Sequence, residues 1–236
     1  MTSNRLPGKV LLPLAGKPAL LRLVERITPS RYVDEVVVAT TINKTDDPIV
    51  KLCQKNHIKY FRGSEEDVLK RVLDAAKSVN ADFIIEITGD CPLLDYRHIN
   101  DLCQEYEKEE SDYIANNTIR SYPDGFDVQL FPLNILERVD TLTNDPIDRV
   151  HVSYYIYTHP EIFKCRNIKA EGKMYWPELG VTLDEKEDYL LINRIFEELI
   201  ARSKKFSAED VVDLLRSNMD WININSHIKR KLAQEG

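Results

Sequence analysis

The chain has 236 residues, 43% of them hydrophobic, enough to bury a full core in one large domain or two small ones. With 32 Lys and Arg against 39 Asp and Glu, the formal net charge of -7 disfavours a general nucleic-acid or anionic-membrane surface and makes any anion site a local one. Cys53, Cys91, Cys103 and Cys165 form no C-x-x-C pair and stand far apart, so neither a zinc ribbon nor a disulfide framework is indicated and a reducing cytoplasm is the expected location.

In chain order, the first clear strand is VDEVVVAT, Val33 to Thr40, whose run of β-branched residues predicts a strand covered on both faces. Asp46 to Asn56 follows with Ile49, Val50, Leu52 and Cys53 at helical spacing, and HIKYF then makes a short strand ending at Arg62-Gly63. Ser64 heads S-E-E-D, a capping-box-like start for a helix whose apolar face is Val68, Leu69, Val72, Leu73 and Ala76. A third strand, Asp82 to Thr88, stops at Gly89-Asp90, and a helix is expected from Asp95 to Tyr106. This alternation predicts right-handed crossovers and a mostly parallel sheet between helices, the doubly wound α/β class.

Near residue 111 the pattern changes. SDYIANN and FDVQLF read as an added β segment, joined through the turn signal Tyr122-Pro123-Asp124-Gly125. Pro132 to Leu142 and Asp145 to Thr158 follow as helices, FKCRNIKA as a strand, and Asp184 opens a long helix with a stripe of Leu191, Ile192, Ile195, Phe196 and Leu199. Residues 219–236 read as a polar, solvated and partly frayed tail of one domain spanning 1–236. The first residues show no charged segment leading into an apolar one, and no apolar run approaches the roughly 18 residues of a spanning helix, so a soluble protein is expected.

Three stretches carry chemistry. In RLPGK, Gly8 admits close approach of backbone N–H groups to an anion, Pro7 stiffens the turn, and Arg5 and Lys9 supply a forked and a point charge for phosphate oxygens. A solvent-facing turn is the other reading of a Gly-Lys pair. In ITGDCPLLD, Asp90 lies just beyond a strand end, where ligands of open α/β sheets bind; Gly89 leaves room for a ligand, and the carboxylate suits Mg²⁺ or, alternatively, an Asx turn or helix cap. In GVTLDEKEDYL, Asp184 is a second carboxylate candidate, although Glu187 three residues on makes a helix-capping arrangement that needs no metal. The five histidines show no zinc-binding spacing, and the aromatic stretch around His151 reads as core or subunit interface.

Taken in order, RLPGKVLLPLAGKP, VDEVVVATT, FRGSEEDVLKR, ITGDCPLLD, YPDGFDVQLF and GVTLDEKEDYLLI resemble the spore coat polysaccharide cytidylyltransferases, within the acylneuraminate and 3-deoxy-manno-octulosonate cytidylyltransferase group. The likeness runs from Ser3 to about Leu199. It implies a Rossmann-like, three-layer nucleotide-diphospho-sugar transferase fold, and joining of CMP from CTP to a sugar, acidic or amino, with release of pyrophosphate. By motif, it implies that Ser3, Arg5, Gly8, Lys9 and Gly89 hold the nucleotide, that Thr40 and Thr41 lie at the base, and that Asp90 and Asp184 bind Mg²⁺. Arg5, Lys9 and Asp90 would be catalytic, Tyr122, Asp124 and Phe126 would meet the sugar, and a homodimer is implied. Members begin with a strand running into Q-A-R-x-x-S-x-R-L-P-G-K, so this chain is expected to start inside that motif, short of the first strand and the earlier arginine. Two rival readings remain: a glycosyltransferase of the same fold, disfavoured by Gly-Asp-Cys-Pro in place of Asp-x-Asp, and a catalytically impaired nucleotide-sugar-binding subunit.

Overall fold

The structure, a computed structural model, describes residues 1, 5–203 and 205–230. After the 3₁₀ turn Lys9–Leu11, a short hairpin of β1 (Pro13–Leu14) and β2 (Lys17–Pro18) leads into α1 (Ala19–Ile27), which buries Ala19, Leu20, Leu23, Val24 and Ile27. Strand β3 (Val37–Thr41), helix α2 (Asp47–Lys55), strand β4 (Lys59–Gly63) and helix α3 (Val68–Lys77) follow, then β5 (Phe83–Glu86) and α4 (Tyr96–Lys108). Next come β6 (Tyr113–Ala115), β7 (Gln129–Pro132), α5 (Leu133–Leu142), α6 (Pro146–Val150), α7 (Tyr154–Thr158) and β8 (Cys165–Asn167). Helices α8 (Lys186–Arg202) and α9 (Ala208–Ser217) and a 3₁₀ segment, Met219–Ile224, complete the described elements.

The α/β class stands, and the sheets are mixed where the alternation pointed to mostly parallel pairing. β3 and β4 pair in parallel, while the larger sheet runs β5-β7-β6-β8, with β7 antiparallel to both its neighbours and β6 parallel to β8. The added β segment is thus the source of the mixed sense: β7 enters between β5 and β6. Alternate residues of these strands serve opposite faces. Ile114 and Leu130 join a core shared with α1, α4, α8 and α9, whereas Tyr113, Ala115 and Phe131 face a second core with Leu69, Leu73, Leu136, Val139 and Ile156.

Several boundaries differ from the sequence reading. The cap of α3 is Asp67, whose carboxylate accepts from the Lys70 amide, while Ser64 accepts from the Asp67 amide one step earlier. The helix expected over Asp145 to Thr158 is broken into α6 and α7 at Val152, which takes φ 48°, a left-handed conformation that interrupts a helix. Of the tail expected over 219–236, the 3₁₀ segment packs Trp221, Ile222 and Ile224 on the main core and Asn225 is buried, while 231–236 lie outside the described residues.

Two features position the strand ends. Gly125, at φ 112°, brings the turn after Tyr122 so close to the 179–184 segment that a Cβ there would lie 2.8 Å from the Val181 carbonyl carbon. Backbone bonds Asp124 N to Leu179 O (2.8 Å), Val181 N to Asp124 O (2.7 Å) and Leu183 N to Asp90 O (2.8 Å) then lay that segment between Asp124 and Asp90. On the other side, the Arg26 guanidinium donates to the carbonyls of Leu93, Leu94 and Phe206 at 2.9–3.0 Å and lies 4.2 Å from the Phe206 ring centroid.

Candidate active site

Three chain segments far apart in sequence meet beyond the end of β5. Lys9 follows Gly8, whose φ of 70° lets the chain turn sharply between Pro7 and the 3₁₀ segment. Asp90 stands four residues past Glu86, the last residue of β5. Asp184 lies just before α8, on the segment that Gly125 admits. The Lys9 ammonium donates to Asp90 Oδ2 at 2.6 Å and to Asp184 Oδ1 at 2.9 Å, and Arg5 Nη2 donates to the same Asp184 oxygen at 2.9 Å. Both carboxylates therefore share one ammonium, and a second cation stands beside it.

Burial opposes charge on Lys9 and Asp184, and the ion pairing outweighs it. Desolvation would lower the Lys9 pKa, yet Asp90 and Asp184 raise it above its ordinary value. For Asp184, burial pushes upward, while Lys9, Arg5 and Arg230 together bring the carboxyl below the usual range. Asp124 behaves in the opposite way: burial raises it from 3.8 to about 6, with Arg120 opposing and Asp127 adding to the rise.

Asp184 is free for this site because it is not the cap of α8. The capping box is formed by Glu185 and Asp188, one residue beyond the expected Asp184–Glu187 pair. Asp188 is fully buried, and its Oδ2 accepts from the amides of Asp184 (3.1 Å) and Glu185 (2.8 Å), fixing the backbone that presents Asp184.

Arg5, Lys9, Asp90 and Asp184 are thus brought together, while the other sequence-derived candidates fare differently. The Gly8 amide donates to Met1 O and the Lys9 amide to Leu6 O, so these N–H groups close the turn on itself, and the outward charge comes from side chains. A Cβ at Gly89 would meet only Val10 Cγ1, at 3.5 Å, an ordinary contact. Thr40 and Thr41 both spend their hydroxyls on Asp46 Oδ2, at 2.8 and 2.7 Å. Asp124 lies near the pair, bridged to Gly180. Tyr122 packs edge-on against His98, with centroids 5.5 Å apart. Phe126, expected at the sugar, is fully buried and stacked on His98 at 5.3 Å, with its side chain on the core face of the loop. Ser3 lies outside the described residues. Arg62, in the FRGSEEDV motif, donates to the carbonyls of Thr41 and Asn43 and pairs with Asp47, a structural role.

Sequence reasoning missed Asp46, Asp188 and Arg230. An Asp three residues into α8 is a local capping signal for Asp188; for Arg230, 42 residues further on, no local signal exists.

The paired oxygens suit a hard divalent cation, because Mg²⁺ takes one or two carboxylates together with phosphate oxygens. Asp90 and Asp184 converge on a single ammonium, Asp184 the deeper of the two: their side chains are 24% and 14% exposed. Among the described residues, no group of three or more His, Cys, Asp or Glu side chains is arranged for a metal, so a cation here would draw its remaining ligands from elsewhere, as Mg²⁺ does from phosphates.

Layered helices around mixed sheets, with charged residues beyond the strand ends, define a nucleotide-diphospho-sugar transferase fold. The chain belongs to the cytidylyltransferase family, whose sequence profile matches residues 1–221. It is similar to a cytidylyltransferase of known structure from Leptospira borgpetersenii serovar Hardjo-bovis, with a TM-score of 0.88 and 31% identity over 98% of this chain and 95% of that one. The spore coat polysaccharide biosynthesis protein SpsF of Bacillus subtilis is 33% identical over 93% of this chain and 92% of its own length. An uncharacterised protein of Methanocaldococcus jannaschii is likewise 33% identical, over 99% of this chain and 94% of its own length. A CMP:2-keto-3-deoxy-manno-octonic acid synthetase complexed with CTP shares the fold, at a TM-score of 0.60 and 19% identity. Among the described residues no helix is long and apolar enough to cross a membrane.

Proposed function

We propose that the protein transfers CMP from CTP to a sugar, acidic or amino, in surface polysaccharide synthesis, releasing pyrophosphate. The observation that carries this reading is the meeting of Lys9 and Arg5 with Asp90 and Asp184 beyond one strand end. Such a cluster has both parts that nucleotidyl transfer needs: cations for the triphosphate and carboxylates for its metal. Family membership supports the cytidine nucleotide, and the likeness to SpsF supports the polysaccharide context.

In this reading, Lys9 and Arg5 turn from the carboxylates to the phosphate oxygens of bound CTP and offset charge gathering on the departing pyrophosphate. A sugar hydroxyl forms the new bond to the α-phosphorus as the bond to the β-phosphate oxygen breaks, and the hydroxyl proton is released. Asp90 and Asp184 would hold Mg²⁺, which when bound supplies Lewis-acid polarisation of phosphate oxygens. Gly8 sets the turn that aims Lys9, and Gly89 leaves the approach to Asp90 open. Thr40 and Thr41 would lie at the base, and Asp124 and Tyr122 would face the sugar. The homodimer falls on the segment from α6 to α7, where Ile147 and Val150 are 40% and 42% exposed, and light scattering after size exclusion tests it.

The deciding experiment is pyrophosphate release from each of the four nucleoside triphosphates, with and without Mg²⁺, against a panel of sugar acids and amino sugars. Release with CTP and at least one sugar is the expected result. Nucleotide binding without turnover across the panel overturns it.

A further inference from the structure

The C-terminal segment reaches the candidate site through one side chain. Arg230 donates to Asp188 through both terminal nitrogens, Nη2 to Oδ1 at 2.8 Å and Nη1 to Oδ2 at 3.0 Å, and Nη1 lies 3.7 Å from Asp184 Oδ2. Asp188 is fully buried and holds the Asp184 and Glu185 amides through the same Oδ2. Asn225, also buried, adds a bond from Nδ2 to Asp188 Oδ1 at 2.8 Å and another to Gly180 O at 2.9 Å. One carboxylate thus ties the entry of α8, the backbone of Asp184 and the end of the described chain together.

A second observation points the same way from the opposite wall. A Cβ at Gly180 would lie 2.5 Å from both Nε and Nη2 of Arg230. Gly180 is not among the residues with positive φ, so its backbone does not demand glycine; the space a Cβ would take is filled by the guanidinium that Asp188 holds. The Asp124 backbone is bridged to Gly180, so the planar cation lies over the strip that runs between Asp124 and Asp184. Residues 219–230 are therefore a strap that crosses the 179–184 segment and ends on the acidic pair.

We propose that Arg230 is a positioning residue for Asp184: clamped on Asp188 across Gly180, it fixes the peptide that presents Asp184 and draws Asp184 Oδ2 away from Lys9. This rests on the nucleotidyl-transfer reading for its kinetic consequence and on geometry alone for the clamp. An arginine suits the role because its rigid fork meets both oxygens of one carboxylate and still offers a charge to the next; a lysine keeps the charge and loses the fork. Removing a group that orients a ligating carboxylate reduces activity about 10–100-fold in comparable settings.

The test uses the full chain with Arg230→Ala, Arg230→Lys and Gly180→Ala, and Lys229→Ala, an exposed neighbour on the same strap, as control. Amide hydrogen exchange over residues 183–188 should rise in Arg230→Ala and in Gly180→Ala, and stay at the wild-type level in Lys229→Ala. In turnover, kcat should fall about tenfold or more in Arg230→Ala and Gly180→Ala with the KM for nucleotide changed less than threefold, and Arg230→Lys should recover part of it. Unchanged exchange at 183–188 in Arg230→Ala, or an unchanged kcat, overturns the proposal. A matched rise in KM with kcat intact also overturns it, because that is the signature of a substrate contact. Absence of pyrophosphate release from the wild type sinks the function reading instead, and the exchange measurement then decides the clamp by itself.

Discussion

Strand β5 carries one carboxyl group inside it and another just past its end, and the two live in different surroundings. Asp90, at the tip, meets the Lys9 ammonium at 2.6 Å, and Asp184 beside it has Lys9 and Arg5 as well. Glu86, four residues earlier, points to the second core, where its Oε2 has no hydrogen-bond partner among the described residues. Burial raises the Glu86 pKa from 4.5 to about 7, opposed only by a hydrogen bond from Ser153, and Tyr113 and Tyr157 are the other titratable groups that feel it. Desolvation acts on Glu86 and on Asp184 alike; what separates them is that Lys9, Arg5 and Arg230 reach Asp184.

The sharpest way to break that comparison is to remove the cation at the tip. Lys9→Ala should reduce CTP-dependent pyrophosphate release about 100- to 1,000-fold, the usual loss when one preorganised donor is deleted. It should also lower the unfolding free energy by about 1–3 kcal/mol in urea titrations, because two adjacent carboxylates lose their shared partner. Full activity in this variant would mean that the tip is not the reacting centre.

In the interior the expected effect is a pH dependence. Because the folded-state pKa of Glu86 is about 7 against an ordinary 4.5, the unfolded chain gives up this proton first as pH rises. Stability associated with Glu86 is thus complete below 4.5 and is lost progressively up to about 7. The loss is at most about 3 kcal/mol, from the conversion of pKa units to free energy. Glu86→Gln should flatten the profile and make the protein more stable than wild type at pH 8, measured by urea unfolding at several pH values.

Gly125→Ala sharpens the link between the two regions, since it forces apart the loop and the segment that carries Asp184. With φ at 112° and a Cβ contact of 2.8 Å, a loss of about 1–3 kcal/mol is expected by thermal unfolding, accompanied by lower activity. The smallest effect belongs to Thr41→Val, which removes one of the bonds to Asp46 and should cost about 1 kcal/mol without altering the tip.

How far the sequence foretold this arrangement depends on the range of the cause. Strand and helix alternation from Val37 to Lys108 is written in local periodicity, and so is the Asp95 cap of α4, whose carboxylate accepts from the Arg97 amide. The RLPGK, GDCP and late acidic stretches were each legible as charged tips, and the structure brings their charges together. Phe126 was placed at the sugar by resemblance of the YPDGFD stretch, whereas the loop before β7 buries its ring against His98, a contact far away in sequence. Val152 breaks a helix that periodicity favours, since tertiary packing selects a left-handed residue there. Arg230 was illegible for a plainer reason: in composition it sits in a polar cluster of Lys and Arg, and nothing local announces a fully buried aspartate 42 residues away.

Arg26 stands on α1 with its side chain largely buried. Its guanidinium joins the helix behind the Lys9 turn to the carbonyls of Leu93 and Leu94, just after Asp90, and to Phe206 at the approach to α9. The opposing walls are bolted to a common crosspiece, so their separation is set before any ligand arrives. Contact energy is then available for retention rather than for drawing the walls together, the thermodynamic advantage of a rigid socket.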